Sequence, residues 1–369
     1  MIKVCFYAYH AHHLFKRSER SYGGAEINFF YLSRELAKKV EYQVSMLVGD
    51  DGQPALEIID GVRLKKIKRY HERNKNLTHR ILKRFYIIKE FATNDADIFV
   101  ISTAMAGNIM FYCLLFAKWM RGKKIVYRIA SDRDIDGYYM NNKTAVSRQF
   151  RFSLKYIDKI IAQNKRQQAL LLKKENLQSI VIKNGFPVVK KKIKFKKKYN
   201  LWVGRSVKIK KPEIFLEIAA QLPEQYFVMI IPGKGVTKDL VLKKSQLLSN
   251  VQIIDQVNFF EIEQYFSEAK CLVNTSDFEG FPNTFIQSFI NYTPICSINV
   301  NPDNIIEEYL LGKFCNGNIQ EAVIFLDKLG EEESKTLGEN GFRYVMKHHH
   351  LTDKVQRYEK LFSQLIHKK

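Results

Sequence analysis

Residues 274–289 read NTSDFEGFPNTFIQSF. The apolar run Ala269 to Val273 before them reads as a buried strand, and the apolar-periodic stretch Thr284 to Tyr292 reads as a helix. The turn between them carries Glu279-Gly280-Phe281-Pro282, and the helix opens near Asn283. Pro282 suits the first helical turn, where a missing N–H costs nothing. Gly280 lets the backbone come close to a ligand. The orphan N–H groups and the positive end of the helix dipole favour an anion such as a phosphate. Glu279 stands beside that anion position, where a carboxylate calls for a different partner. Sugar hydroxyls are the natural one.

Outward from this stretch the chain alternates. Strands are expected at Lys3–Tyr9, Gln43–Val48, Ile98–Ser102, Lys124–Ile129 and Lys159–Ala162, with helices at Ala25–Lys39, Thr78–Phe91, Asn108–Met120 and Lys165–Glu175. Such alternation predicts a doubly wound parallel sheet. The lysine-dense run Val188 to Lys198 reads as an exposed linker. A second set of strands then follows at Tyr199 to Gly204, Tyr226–Ile231, Val251–Ile254, Lys270–Val273 and Pro294–Ser297. Phe342 to Ile366 reads as a terminal helix with a break near His348–Leu351. Ligands of such sheets bind at the carboxyl ends of the strands.

The Glu279 segment resembles the EGF-containing signature of the retaining GT-B glycosyltransferases of family 4 (glycosyl transferases group 1). In that signature a second Glu follows eight positions on, and here the position holds Gln287, which is uncharged and both accepts and donates hydrogen bonds. The resemblance implies two Rossmann-like α/β domains facing across a cleft. Residues 1–188 would bind the acceptor, residues 189–345 the nucleotide-sugar, and residues 346–369 would form a helix packing back on the first domain. It also implies a hexosyltransferase that moves a sugar from a UDP- or GDP-sugar to a glycan or lipid-linked acceptor in surface polysaccharide synthesis. No metal or other cofactor is expected. The alternative is an inactive scaffold of the same fold that binds nucleotide or sugar, a reading that Gln287 supports.

Residue by residue, Gly204-Arg205 at a strand end, with Lys210 beyond, resembles the family's Gly-Arg…Lys element. Preorganised cations there would stabilise the departing diphosphate. Arg engages two phosphate oxygens and Lys acts as a compact charge. Glu279 would hold sugar hydroxyls and, with Arg205 and Lys210, form the catalytic set. Gly280, Phe281, Pro282 and Asn283 would shape the turn over the donor, with Gln287 near the ribose. Gly233 and Gly235 resemble the family's Gly-x-Gly turn near the nucleotide base and read equally as a plain turn. In the first domain Gly23-Gly24-Ala25-Glu26 resembles the family's GGAE element, a turn able to approach phosphate or sugar. Asp132, Asp134 and Asp136 form a DxDxD pattern that reads as an acceptor contact at Asp132, a metal pair or a solvated loop. His10, His12 and His13 follow the first strand as acceptor-side candidates.

The chain has 369 residues, is 46% hydrophobic and carries a net charge of +22. No apolar run reaches membrane-spanning length. The five cysteines are scattered through apolar segments and read as reduced core residues of a cytoplasmic protein. Between Lys65 and Lys89 ten Lys and Arg stand against one acid, Glu72, with apolar residues interleaved. That stretch reads either as a solvated helix face or as a surface for anionic lipid, placing the protein at the inner face of a membrane. No nucleic-acid-binding signature is present, and no nucleic acid is expected as a partner.

Overall fold

The computed structural model describes residues 1–18, 23–68, 77–102, 107–137, 144–190 and 197–367. The chain divides into two compact units, one of residues 1–16, 22–185 and 351–369, the other of residues 17–21 and 186–350. Both are Rossmann-like α/β units built on parallel sheets, the GT-B class of architecture.

In the first unit the strands are β1 (Ile2–Tyr7), β2 (Tyr42–Val48), β3 (Leu56–Ile59), β4 (Val62–Lys66), β5 (Ile98–Ile101), β6 (Lys124–Arg128), β7 (Lys159–Ala162) and β8 (Ile180–Val181). They lie in the order β3-β4-β2-β1-β5-β6-β7-β8, all parallel except the β3–β4 hairpin. The helices are α1 (His12–Phe15), α2 (Gly24–Ala37), α3 (Leu77–Thr93), α4 (Gly107–Tyr112), α5 (Ala145–Tyr156) and α6 (Lys165–Glu175). Caps written in the sequence start two of them: Thr144 accepts from Ser147 N before α5, and Asn164 accepts from Gln167 N before α6. The expected single helix over 108–120 is instead α4 followed by a π-helix, Cys113–Trp119, a widening that hydrophobic periodicity does not signal. β1 is buried from Val4 onward, and Phe6 packs on Phe29 of α2 at 5.0 Å between ring centroids.

In the second unit the strands are β9 (Tyr199–Val203), β10 (Phe227–Ile230), β11 (Val251–Ile254), β12 (Ala269–Asn274), β13 (Ile295–Ser297) and β14 (Gly312–Phe314). Their order is β11-β10-β9-β12-β13-β14, parallel throughout. Helices α7 (Pro212–Gln221), α8 (Val236–Ser245), α9 (Ile262–Glu268), α10 (Asn283–Ile290), α11 (Ile305–Glu308), α12 (Ile319–Lys328) and α13 (Glu331–His349) accompany them. The strand order reverses between β9 and β12. Such a switch point opens a crevice at the carboxyl ends of the two strands.

The terminal segment breaks where expected. His350, extended at φ −60° and ψ 127°, ends α13, and α14 (Leu351–His367) begins a residue later. α14 belongs to the first unit, where Phe362 and Tyr358 are buried and Glu359 pairs with Lys39 at 2.8 Å.

Part of the lysine run, residues 191–196, lies outside the described residues. Its end is not the solvated linker expected. The Lys197 ammonium donates to Thr293 Oγ1 (2.8 Å), Ser267 O (3.1 Å) and Asn291 O (3.3 Å), and burial pushes its pKa down to about 8.

Candidate functional site

Two loops flank the β9/β12 switch point. The first leaves β9 through Gly204 and Arg205 and makes a 3-10 turn at Lys208–Lys210. Lys211 then enters the left-handed region (φ 46°) to start α7. The second leaves β12 through Thr275 and Ser276 and reaches α10. Pro282 caps that helix with extended ψ (123°), and the first helical residue is Asn283, where the helix was expected to open.

The loops are stitched to each other. Trp202, buried on β9, donates its indole N–H to Thr275 Oγ1 (2.8 Å), and the Thr275 hydroxyl donates to Lys210 O (2.7 Å). Asp277 N donates to Ile209 O at 2.9 Å. These bonds fix the backbone that carries Lys210 against the loop that carries Glu279.

Their side chains meet. Lys210 Nζ lies 2.8 Å from Glu279 Oε1, and the same oxygen accepts from Ser276 Oγ (2.8 Å) and Asn274 Nδ2 (3.1 Å). Burial by itself would push the Glu279 pKa up. The Lys210 charge and hydrogen bond, with those of Ser276 and Asn274, outweigh it and hold the carboxyl below its ordinary range. The Glu279 carboxyl is therefore ionised at neutral pH, and the pair is largely withdrawn from water, with side-chain exposures of 22% for Lys210 and 16% for Glu279. Asn274, Thr275 and Ser276 are the parts sequence reasoning missed. They stand inside the quoted stretch, but their convergence on Glu279 and Lys210 depends on the curl of the loop.

Arg205 is exposed and, among the described residues, forms no ion pair. Gly204 is fixed by its surroundings, since a Cβ there would meet the Trp202 ring at 2.8 Å. Gly233 (φ 104°) and Gly235 (φ 130°) both take backbone conformations that side chains resist, and Gly235 caps α8. Gly280 is buried, and Phe281 turns inward onto His349 at 4.6 Å between centroids. Asn283 and Gln287, one helical turn apart, share a partly exposed face of α10.

In the first unit, Gly23 caps α2 and the Glu26 carboxylate folds back over it, 2.3 Å from where a Gly23 Cβ would stand. Gly24 opens that helix, while Tyr22 lies outside the described residues. Of the DxDxD acids, Asp136 is exposed, whereas Asp132 and Asp134 are buried and not solvated. Asp134 accepts from Tyr127 Oη, Ala130 N and Ser131 N at 3.0–3.1 Å. Asp132 is buried and accepts from Gln167 Nε2 at 2.8 Å. These carboxylates are engaged in bracing the loop after β6. His10 is exposed and edge-on to Tyr9, whereas His12 and His13 turn toward the acids Glu57 and Asp51.

Residues 197–326 match the family described as "Glycosyl transferases group 1". No curated protein matches the chain in sequence. Among solved structures, the chain is similar to the sucrose-phosphate synthase of Thermosynechococcus elongatus (TM-score 0.79, 16% identity, 99% of each chain covered). It is also similar to Anabaena HepE in complex with UDP-glucose (TM-score 0.70, 13% identity, 99% of this chain and 100% of that one). A third likeness is to Staphylococcus aureus TarM in complex with fondaparinux, α-GlcNAc-glycerol and UDP (TM-score 0.63, 17% identity, 76% of this chain and 59% of that one).

Proposed function

We propose that the chain is a glycosyltransferase that uses a nucleotide-sugar donor, a reading supported by the match of residues 197–326 to the group 1 glycosyltransferases. The donor is a UDP- or GDP-sugar, and its nucleotide lies in the β9/β12 crevice of the second unit. The observation that carries this is the convergence of Lys210, Ser276 and Asn274 on one oxygen of Glu279 at that crevice. With Oε1 so occupied, Oε2 is the atom left to accept from a sugar hydroxyl. Lys210, anchored through its carbonyl by Thr275, and the exposed Arg205 receive the negative charge that develops on the leaving diphosphate. Asn283 and Gln287 reach the ribose, and Gly233 and Gly235 let the backbone approach the base. The configuration of the transferred sugar is retained and no metal enters the step, both as the family resemblance implies.

The acceptor is a glycan or a lipid-linked glycan of surface polysaccharide assembly, received by the first unit near Gly23, Gly24, Glu26 and His10. Membrane association follows from the basic stretch. Its residues 69–76 lie outside the described ones, but α3 exposes Ile81 (54%) and Phe85 (58%) one turn apart, beside the exposed cations Arg84 and Lys89. Lys65 and Lys66 are engaged with Asp95 and Asp50. Among the described residues no helix is long and apolar enough to cross a membrane. Neutralising Arg84 and Lys89 is expected to weaken binding to anionic liposomes at low salt. Unchanged binding would remove the membrane from the reading.

The donor reading is tested by thermal shift with UDP, GDP, ADP and their sugar conjugates, with and without magnesium. Stabilisation by one nucleotide series, unaffected by magnesium and lost in Glu279→Ala, is the expected result. No stabilisation by any nucleotide would favour an inactive scaffold.

A further inference from the structure

The loops after β1 and β2 in the first unit form a second polar cluster. His12 and His13 open α1, Asp51 lies in the turn after β2, and Glu57 lies on β3. Gly49 N donates to Tyr9 O at 2.7 Å and ties the two loops together. Gln53, itself buried, braces the turn by accepting from Asp51 N (2.6 Å) and donating to Gly49 O (2.5 Å).

Within this frame His12 is 5% exposed. Its Nε2 faces Glu57 Oε2 at 3.3 Å, and Glu57 is held in turn by Lys16. With the ring proton on Nε2, Nδ1 presents a lone pair. That Nδ1 is buried, has no hydrogen-bond partner and points at Asp51 Oδ2 from 3.7 Å, too far for a hydrogen bond. His13 Nε2 lies 3.1 Å from the same oxygen. All three atoms fall within 4.8 Å of one another. A lone pair facing a carboxylate oxygen in a dry pocket is repulsive, and either a proton on that nitrogen or a metal cation between the two relieves it.

We propose that His12 Nδ1, His13 Nε2 and Asp51 Oδ2 bind a zinc-class divalent ion. Zinc bonds of about 2.0–2.2 Å in tetrahedral geometry place ligand atoms about 3.3–3.5 Å apart, a spacing that the two measured separations bracket. Glu57 supplies the outer carboxylate that metal-bound histidines regularly carry on their other ring nitrogen, fixing the tautomer and ring angle. Two neutral imidazoles, two carboxylates and one ammonium leave the cluster one negative charge, which suits a cation. Three protein ligands leave the fourth position open to water or to an oxygen of a bound molecule. This site belongs to a different unit from Glu279 and Lys210, and the donor reading stands or falls without it.

The test is metal analysis of the untagged full chain, dialysed against excess zinc and then desalted. About one ion per chain is expected in the wild type. Less than about half an ion per chain would overturn the proposal. Asp51→Asn and His13→Gln are each expected to lower zinc affinity more than tenfold. If Asp51→Asn keeps the full ion at unchanged affinity, the metal sits elsewhere, for example on the His348–His350 run, and the proposal fails. Glu57→Gln is expected to weaken affinity about 10–100-fold while the stoichiometry at saturation stays the same. Should the variants misfold, cobalt in the wild type decides the matter. Strong visible absorption of a four-coordinate nitrogen–oxygen site supports the assignment, and the weak spectrum of hydrated cobalt overturns it.

Discussion

The ring of Trp202 occupies the space that a side chain on Gly204 would need, with Cη2 2.8 Å from the position of a Cβ there. The same indole holds Thr275 through its N–H. A glycine at the end of β9 is thus a packing requirement of the strand. Gly204→Ala is expected to cost about 1–3 kcal/mol through overpacking. It should also weaken nucleotide binding, because the displaced ring pulls Thr275 away from Lys210 O. Urea denaturation and nucleotide titration of the variant measure both effects. An unperturbed variant would mean that the ring moves aside freely.

The Glu279–Lys210 pair sets an acid limit on the second unit. The folded-state pKa of Glu279 lies below the unfolded one, so its stabilisation is complete above the ordinary carboxylate range. It is lost as pH falls through the lowered folded value. Glu279→Gln should therefore melt below the wild type at neutral pH, with the gap closing under acid conditions. Turnover should fall about 10²–10³-fold, the scale seen when a preorganised polar group is removed from a reaction centre. Melting curves across pH and donor turnover check the two halves separately.

Lys197 predicts a change on the alkaline side. Its folded pKa, about 8, lies below its unfolded value, so the folded state resists charging it. The penalty is full below pH about 8 and is relieved as pH rises toward the ordinary lysine range. Lys197→Met should abolish that relief. It should also leave the acceptors Thr293 Oγ1, Ser267 O and Asn291 O without their donor, at about 1–3 kcal/mol. Melting temperatures of both proteins between pH 7 and pH 10 test the difference in slope.

Arg128 at the end of β6 is 1% exposed and donates to Asn184 Oδ1. Burial lowers its pKa, and interaction with Tyr358 of α14 opposes that shift. Asn184→Ala strands part of a buried cation and is expected to cost about 1.5–3 kcal/mol. Replacing Arg128 and Asn184 together by Met and Leu should cost less than the sum of the single changes. Additive costs in a double-mutant cycle would show that the two residues act independently.

The sheets were legible because parallel strands buried on both faces read as short apolar runs. β7, α6 and β11 fall on their expected residues. The β3–β4 hairpin escaped notice although its turn, Asp60-Gly61, carries two positive φ angles (51° and 77°) and is a known hairpin signal. Its strands are short and partly exposed, with Leu56 and Ile58 on the surface, so they lack the apolar run that marks the others. In the donor region Glu279, Lys210 and the glycines were readable as residue types in a familiar pattern. The Asn274, Ser276 and Lys210 contacts to one carboxylate oxygen were not, because periodicity reports which face a residue takes and carries nothing about pairing across a sheet. Asp132 and Asp134 of the DxDxD loop depart from the solvated reading for a related reason, while Asp136 is exposed. Acids spaced by two look solvated until the backbone N–H groups of Ala130 and Ser131 and the amide of Gln167 are seen to claim them.

The chain holds two tryptophans, and they report on different units. Trp119 is about half exposed in the first, while Trp202 is buried in the second with its N–H held by Thr275. Selective excitation of indole therefore gives a built-in pair of probes with contrasting emission, red for Trp119 and blue for Trp202. In Trp119→Phe the remaining emission comes from Trp202, beside the β9/β12 crevice, alone. Quenching by acrylamide would then follow the opening of that crevice without any attached label.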